Sequence, residues 1–198
     1  MVDSAPVKIG MPLEEFMRLF DQEGPFELIN GERKRKMPNV FGHSEMILLL
    51  LRLLDAFTLM HGLGNVYPET TFILPEFADL VDWVKGSRIP DLMFFAANRI
   101  ANYKTENPNH RTRPLALVPD LVIEVVSPND QYSEIDEKVD LYLADGVRLV
   151  WVIDPQRRKV SVHTSDNDQP HVLKGDALLK GEDVLPGFEI SLTRLFES

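Results

Sequence analysis

Leu121-Val122-Ile123-Glu124-Val125-Val126, followed one helix later by Leu149-Val150-Trp151-Val152-Ile153, decides how this chain folds. Apart from one acid, both runs consist of β-branched residues, leucine and tryptophan, as in strands buried on both faces. Between them, from about Gln131 to Asp145, the residues Ile135, Val139 and Tyr142 recur at helical spacing, and Gly146 supplies the stop. Strand, helix and strand in that order predict a βαβ-like unit in the centre of a sheet.

Upstream, Met11-Pro12-Leu13-Glu14-Glu15-Phe16 puts proline and two acids at a helix start, predicting a short helix to about Glu23. Phe26–Ile29 and Arg33–Met37 flank Asn30-Gly31, a two-residue hairpin signal. Ile47, Leu50, Leu51, Leu54 and Phe57 predict a helix from His43 to His61, ended by Gly62 and Gly64. Strands are expected at Val66–Leu74 and Arg88–Phe95. Beyond the central unit, Asp154-Pro155 turns the chain into a strand over Lys159–Thr164, and a short helix or strand follows Leu185-Pro186-Gly187. The expectation is one α/β (mixed α+β) domain over residues 1–198, a mixed β-sheet flanked by helices.

Composition narrows the functional classes. A chain of 198 residues with 44% hydrophobic and 26% charged residues is an ordinary globular composition. There is no cysteine, which excludes a disulfide framework, a zinc ribbon and a thiol nucleophile and accords with a cytoplasmic setting. The opening MVDSAPVKIG lacks the pattern of a secretory signal, and the most apolar run, Met46–Leu54, is far shorter than the roughly 20 residues of a membrane span. A formal charge of −10 argues against a protein that coats nucleic acid non-specifically. A local basic rim is compatible with it: Arg33-Lys34-Arg35-Lys36 and the stretch Arg99–Arg113 are the two candidates, each readable equally as a solvated tip or loop.

The informative anomalies are acids in apolar strands. Glu124 interrupts an otherwise apolar run, and an ionised carboxylate there is costly unless paired or bound. It fits a cap on a neighbouring loop, an ion pair with an arginine, or a cation ligand. Asp91 leads the apolar run Leu92-Met93-Phe94-Phe95 directly after Pro90, and fits either a turn or a second ligand. On adjacent strands the two could converge on one hard cation, since Mg²⁺ takes one or two carboxylates and fills its shell with waters and phosphate oxygens. Lys138 is the one base among six acids between Ser127 and Asp145, at the edge of the helix's inward stripe. From Glu124 the strand climbs roughly 7 Å and the helix returns roughly 10 Å, which brings the ammonium back to the carboxylate. A surface lysine lying along an apolar face is the other reading.

These residues also carry a resemblance. Phe26-Glu27-Leu28-Ile29-Asn30-Gly31-Glu32, His43 opening a long helix, Pro90-Asp91, Asp120 to Pro128, Lys138-x-x-x-Tyr142, Gly146-Val147 and Trp151 to Pro155 follow in order. Together, from about Met11 to Phe196, they resemble the Uma-two family of restriction-endonuclease-like proteins in the PD-(D/E)XK nuclease superfamily. The resemblance implies a DNA endonuclease using Mg²⁺, with Mn²⁺ as a substitute, and a homodimer acting on nucleic acid. It implies Asp91, Glu124 and Lys138 as catalytic residues, with Asp91, Glu124 and the carbonyl of Val125 as metal ligands and Glu27, His43 and Tyr142 bordering the site. The general motif puts lysine two residues after the second acid, where this chain has Val126; the family reading places that lysine at Lys138. A non-catalytic binding or interaction module that keeps the nuclease scaffold is the alternative, because a fold does not confer a reaction. No P-loop, G-x-S-x-G elbow or H-E-x-x-H spacing is present.

Overall fold

The structure, a computed structural model, describes residues 9–77 and 80–197. In chain order the first elements are β1 (Met11–Pro12), α1 (Leu13–Glu23), β2 (Phe26–Ile29), β3 (Glu32–Arg35), α2 (Phe41–His61) and β4 (Gly64–Pro68). Next come β5 (Phe72–Phe77), β6 (Leu80–Arg88), β7 (Leu92–Ala96), α3 (Ala97–Glu106), β8 (Leu121–Val125) and α4 (Tyr132–Asp145). The last are β9 (Leu149–Asp154), β10 (Lys159–Thr164), β11 (Asn167–Lys174), β12 (Leu178–Lys180), β13 (Glu189–Ser191) and α5 (Leu192–Phe196).

These elements divide into two compact units. The smaller comprises the described residues of Met1–Met37, Thr71–Ile89 and Arg113–Leu117. Its antiparallel sheet has the order β1-β6-β2-β3, with β5 also on β6. Asn30 and Gly31 both take positive φ, as the tight β2–β3 turn demands. Leu13, Phe16, Phe26, Leu28, Ile73 and Val84 form its core, and the rings of Phe16 and Phe26 meet edge-on at 5.2 Å. In β3, Arg33 pairs with Glu23 at 2.6 Å.

The larger unit comprises the described residues of Pro38–Thr70, Pro90–Thr112 and Val118–Ser198. Its six-stranded sheet has the order β11-β10-β9-β8-β7-β4. Only β8 and β9 run parallel, joined by α4, so the predicted βαβ unit lies at the centre. Leu121, Ile123 and Val125 of β8 alternate into a core shared with Leu149, Trp151 and Ile153 of β9, Leu92 and Phe94 of β7, and Ile47, Leu50 and Leu54 of α2. By the strand period of two, Val122 and Glu124 therefore belong to the other face. A separate pair, β12 and β13, adds Leu179 and Ile190 to the same core.

Two expected strands are each divided. Val66–Leu74 becomes β4 and β5, which lie in different sheets; Glu69, at φ 41°, turns the chain between them. Arg88–Phe95 becomes the end of β6 and the start of β7, separated by Ile89-Pro90-Asp91, where proline has no N–H to give a ladder. Arg99–Arg113, read as a loop, begins inside α3. Its Ile100 and Tyr103 are buried at a helical interval among polar neighbours, a pattern too sparse to stand out.

Candidate active site

Glu124 and Asp91 are brought together by sheet register. β7 and β8 pair antiparallel with Leu92 opposite Ile123 and Met93 opposite Val122. Carrying that register on by one step sets Asp91 opposite Glu124 and on the same face. The link is also direct: Asp91 Oδ2 accepts the backbone N–H of Val125 at 2.8 Å, continuing with a side chain the ladder that the backbone of β7 leaves at Leu92. His43, in the first turn of α2, holds the same oxygen through Nε2 at 3.0 Å. Both members of that pair are buried, Asp91 with 3% of its surface exposed.

Glu124 is 7% exposed and takes two partners through Oε1. Tyr142 donates its hydroxyl at 2.5 Å and the Lys138 ammonium stands at 3.5 Å. Lys138 and Tyr142 are one helical turn apart on α4, so one face of that helix delivers both groups to one carboxylate oxygen. The lysine is thus at the place the strand-and-helix geometry predicts. Its side chain is 29% exposed, which makes it the member of this group that reaches solvent.

Glu27 belongs to the smaller unit, where it is buried and its Oε1 accepts the N–H of Ile89 at 2.9 Å. Val125 offers its amide N–H to Asp91, a bond that does not engage its carbonyl, the atom the resemblance gives to a metal. Among the described residues no three side chains of histidine, aspartate or glutamate gather as a metal-ligating group. The donors present are two carboxylates on neighbouring strands. Hard oxygens of that number suit Mg²⁺, which takes one or two carboxylates and completes its shell with water and phosphate oxygens.

Sequence reasoning missed two further buried acids. Asp120 precedes β8 and lies four residues, roughly 13 Å, from Glu124. It accepts the N–H of Ala96 at 2.9 Å and pairs with Arg99 at 2.9 Å and Arg148 at 3.6 Å. Asp154 ends β9, accepts the N–H of Arg157 at 2.9 Å and receives the hydroxyl of Tyr132. Both sit at strand termini; Asp154 has Arg157 three residues on as a sequence signal, whereas the arginines of Asp120 lie 21 and 28 residues away and gave none. Their partners close turns and strand ends.

A mixed α+β fold with a parallel strand pair at its centre and two buried acids at one strand end is nuclease-like in architecture. The chain belongs to the Uma2 family, described as "Putative restriction endonuclease", whose pattern matches residues 13–193. The fold is shared with the crystal structure of a protein described as a "putative nuclease belonging to DUF820" from Anabaena variabilis. The two superpose with a TM-score of 0.75 at 22% identity, over 94% of this chain and 98% of that one. Among curated proteins, none matches. No helix among the described residues is long and apolar enough to cross a membrane.

Proposed function

We propose that this protein is an endonuclease that hydrolyses phosphodiester bonds of DNA with Mg²⁺, Mn²⁺ serving as a substitute. The observation that carries the reading is the 3.5 Å approach of Lys138 to Glu124, with Asp91 hydrogen-bonded to the next residue of the same strand. It supplies acid, acid and lysine although position 126 is valine. Asp91 and Glu124 would hold the ion, which when bound polarises a phosphate oxygen and makes a coordinated water more acidic. His43 and the Val125 amide fix one oxygen of Asp91, and Tyr142 fixes one of Glu124, so neither carboxylate needs to reorganise when charge develops. Lys138, reaching solvent, presents a positive charge to the phosphate oxygens in the transition state.

The test is nicking of supercoiled plasmid with Mg²⁺ or Mn²⁺. Asp91→Ala, Glu124→Ala and Lys138→Met are each expected to lower the rate on the order of 100-fold or more. Nicking that survives all three substitutions would overturn the proposal. The formal charge of −10 and Val126 favour a second reading, a scaffold that binds without cutting. Calorimetry separates the two, since a pure scaffold takes up no Mg²⁺ in the millimolar range.

A further inference from the structure

The carboxyl end of β9 gathers three cations that belong to neither basic stretch singled out in the sequence. Arg157 lies in the turn after β9 and Lys159 opens β10; their charged groups stand 4.5 and 4.8 Å from the centre of the Tyr132 ring. Arg157 also pairs with Asp154 at 3.5 Å, and that acid, 1% exposed, receives the Tyr132 hydroxyl as well. Lys174 of β11 lies directly opposite Lys159. Neither lysine has an ion-pair partner among the described residues. Like charges directly opposite on neighbouring strands destabilise the pairing. The folded chain keeps this repulsion although its formal charge is −10.

Register puts these cations beside the candidate site. Val152 is the parallel partner of Glu124, and Asp154, Lys159 and Lys174 form the next row on the same face, running outward across β9, β10 and β11. Strand spacing and rise set the Cα of Lys159 about 12 Å from that of Glu124, and that of Lys174 about 16 Å from it. Asp136 and Asp140 of α4 act on His163, four residues and roughly 13 Å further along β10. We propose that Arg157, Lys159 and Lys174 seat the phosphate backbone of DNA next to the bond that is cut. Phosphates of a strand leaving the site neutralise the two lysines, so the repulsion between them is relieved on binding. Asp154 and Tyr132 fix Arg157 in place before the strand arrives. The choice of DNA as ligand rests on the endonuclease reading, whereas the test reads binding and is decided apart from cleavage.

The experiment is fluorescence anisotropy of the full chain with a labelled DNA duplex of about 20 base pairs, at several salt concentrations, with Ca²⁺ replacing Mg²⁺ so that the strand stays whole. Lys159→Ala and Lys174→Ala are each expected to raise the Kd about fivefold and to flatten its logarithmic salt dependence by about one unit. Together they are expected to raise it about 25-fold, and Lys159→Arg to stay within about twofold of the parent. Lys174→Glu separates binding from folding: it converts the repulsion into a cross-strand ion pair, so DNA binding falls about 25-fold while the Tm rises about 1–2 °C. A parent that binds the duplex with a Kd and salt slope indifferent to both lysines would overturn the proposal and leave the endonuclease reading standing. A parent that binds no DNA up to about 100 µM would overturn both. A Lys174→Glu chain whose Tm falls along with its binding would also count against the seat, since the loss would then be one of structure.

Discussion

Replacing Tyr142 by phenylalanine removes a single oxygen from a fully buried side chain. That hydroxyl donates to Oε1 of Glu124 at 2.5 Å, and Glu124 is too enclosed for water to replace the donor easily. Hydrogen bonds to charged groups contribute about 1.5–3 kcal/mol. Lys138 remains at 3.5 Å and moderates the loss, so the expected destabilisation is about 2 kcal/mol. For a chain of 198 residues the unfolding entropy is about 0.4 kcal/mol/K, which converts this to a fall in Tm of about 5 °C. The assay is thermal unfolding followed by far-UV circular dichroism, in the parent and in a Glu124→Leu background. With its acceptor gone, the hydroxyl becomes a buried group of little use, and Tyr142→Phe in that background is expected to be neutral or slightly stabilising. A Tm within about 1 °C of the parent, or an equal loss in both backgrounds, would refute the reasoning.

Two further outcomes follow from single residues. Burial lowers the pKa of His163 from 6.5, with Asp136 and Asp140 pulling the other way, so the folded chain takes up this proton less readily than the unfolded one. Stability is therefore expected to fall as pH drops through about 6.5 toward the depressed value. His163→Gln should flatten that part of a urea-unfolding profile, and an unchanged slope would count against it. Gly64 is held at φ 153°, and a Cβ there would lie 2.0 Å from the carbonyl oxygen of Phe95 in the adjoining β7. Gly64→Ala is expected to cost at least about 3 kcal/mol in urea unfolding, and a loss under about 1 kcal/mol would show that β4 shifts freely.

The central βαβ unit was legible because its apolar runs leave no other element to choose, and because Gly146 ends α4 where the periodicity stops. β1, β6, β11 and β12 were not read as strands. Leu80–Arg88 contains aspartate, lysine and glycine, and β1 and β12 are two and three residues long, too short for alternation to register. At the candidate site, Lys138 was placed beside Glu124 because strand rise and helix rise are local and additive. The hydrogen bond of His43 to Asp91 spans 48 residues, with β4, β5 and β6 between them, and no spacing rule reaches that far. Its helical position, four before Ile47 and seven before Leu50 on the buried stripe, was visible; its partner was not.

The two halves of this acidic pair differ in how far along the chain their supports lie. Glu124 and Tyr142 are 18 residues apart, whereas Asp91 reaches Val125 across 34 and His43 across 48. Closing the 48-residue loop costs roughly 0.9 kcal/mol more entropy than closing the 18-residue one, before any contact rewards it. Strand β8, helix α4 and strand β9 can therefore nucleate with Glu124 already satisfied by its own hairpin-sized neighbourhood. The arrival of β7 then carries Asp91 to a Val125 amide that is already in place. Slow-folding mutants are accordingly to be sought on the Glu124 and Tyr142 side, and fast-unfolding ones on the His43 and Asp91 side.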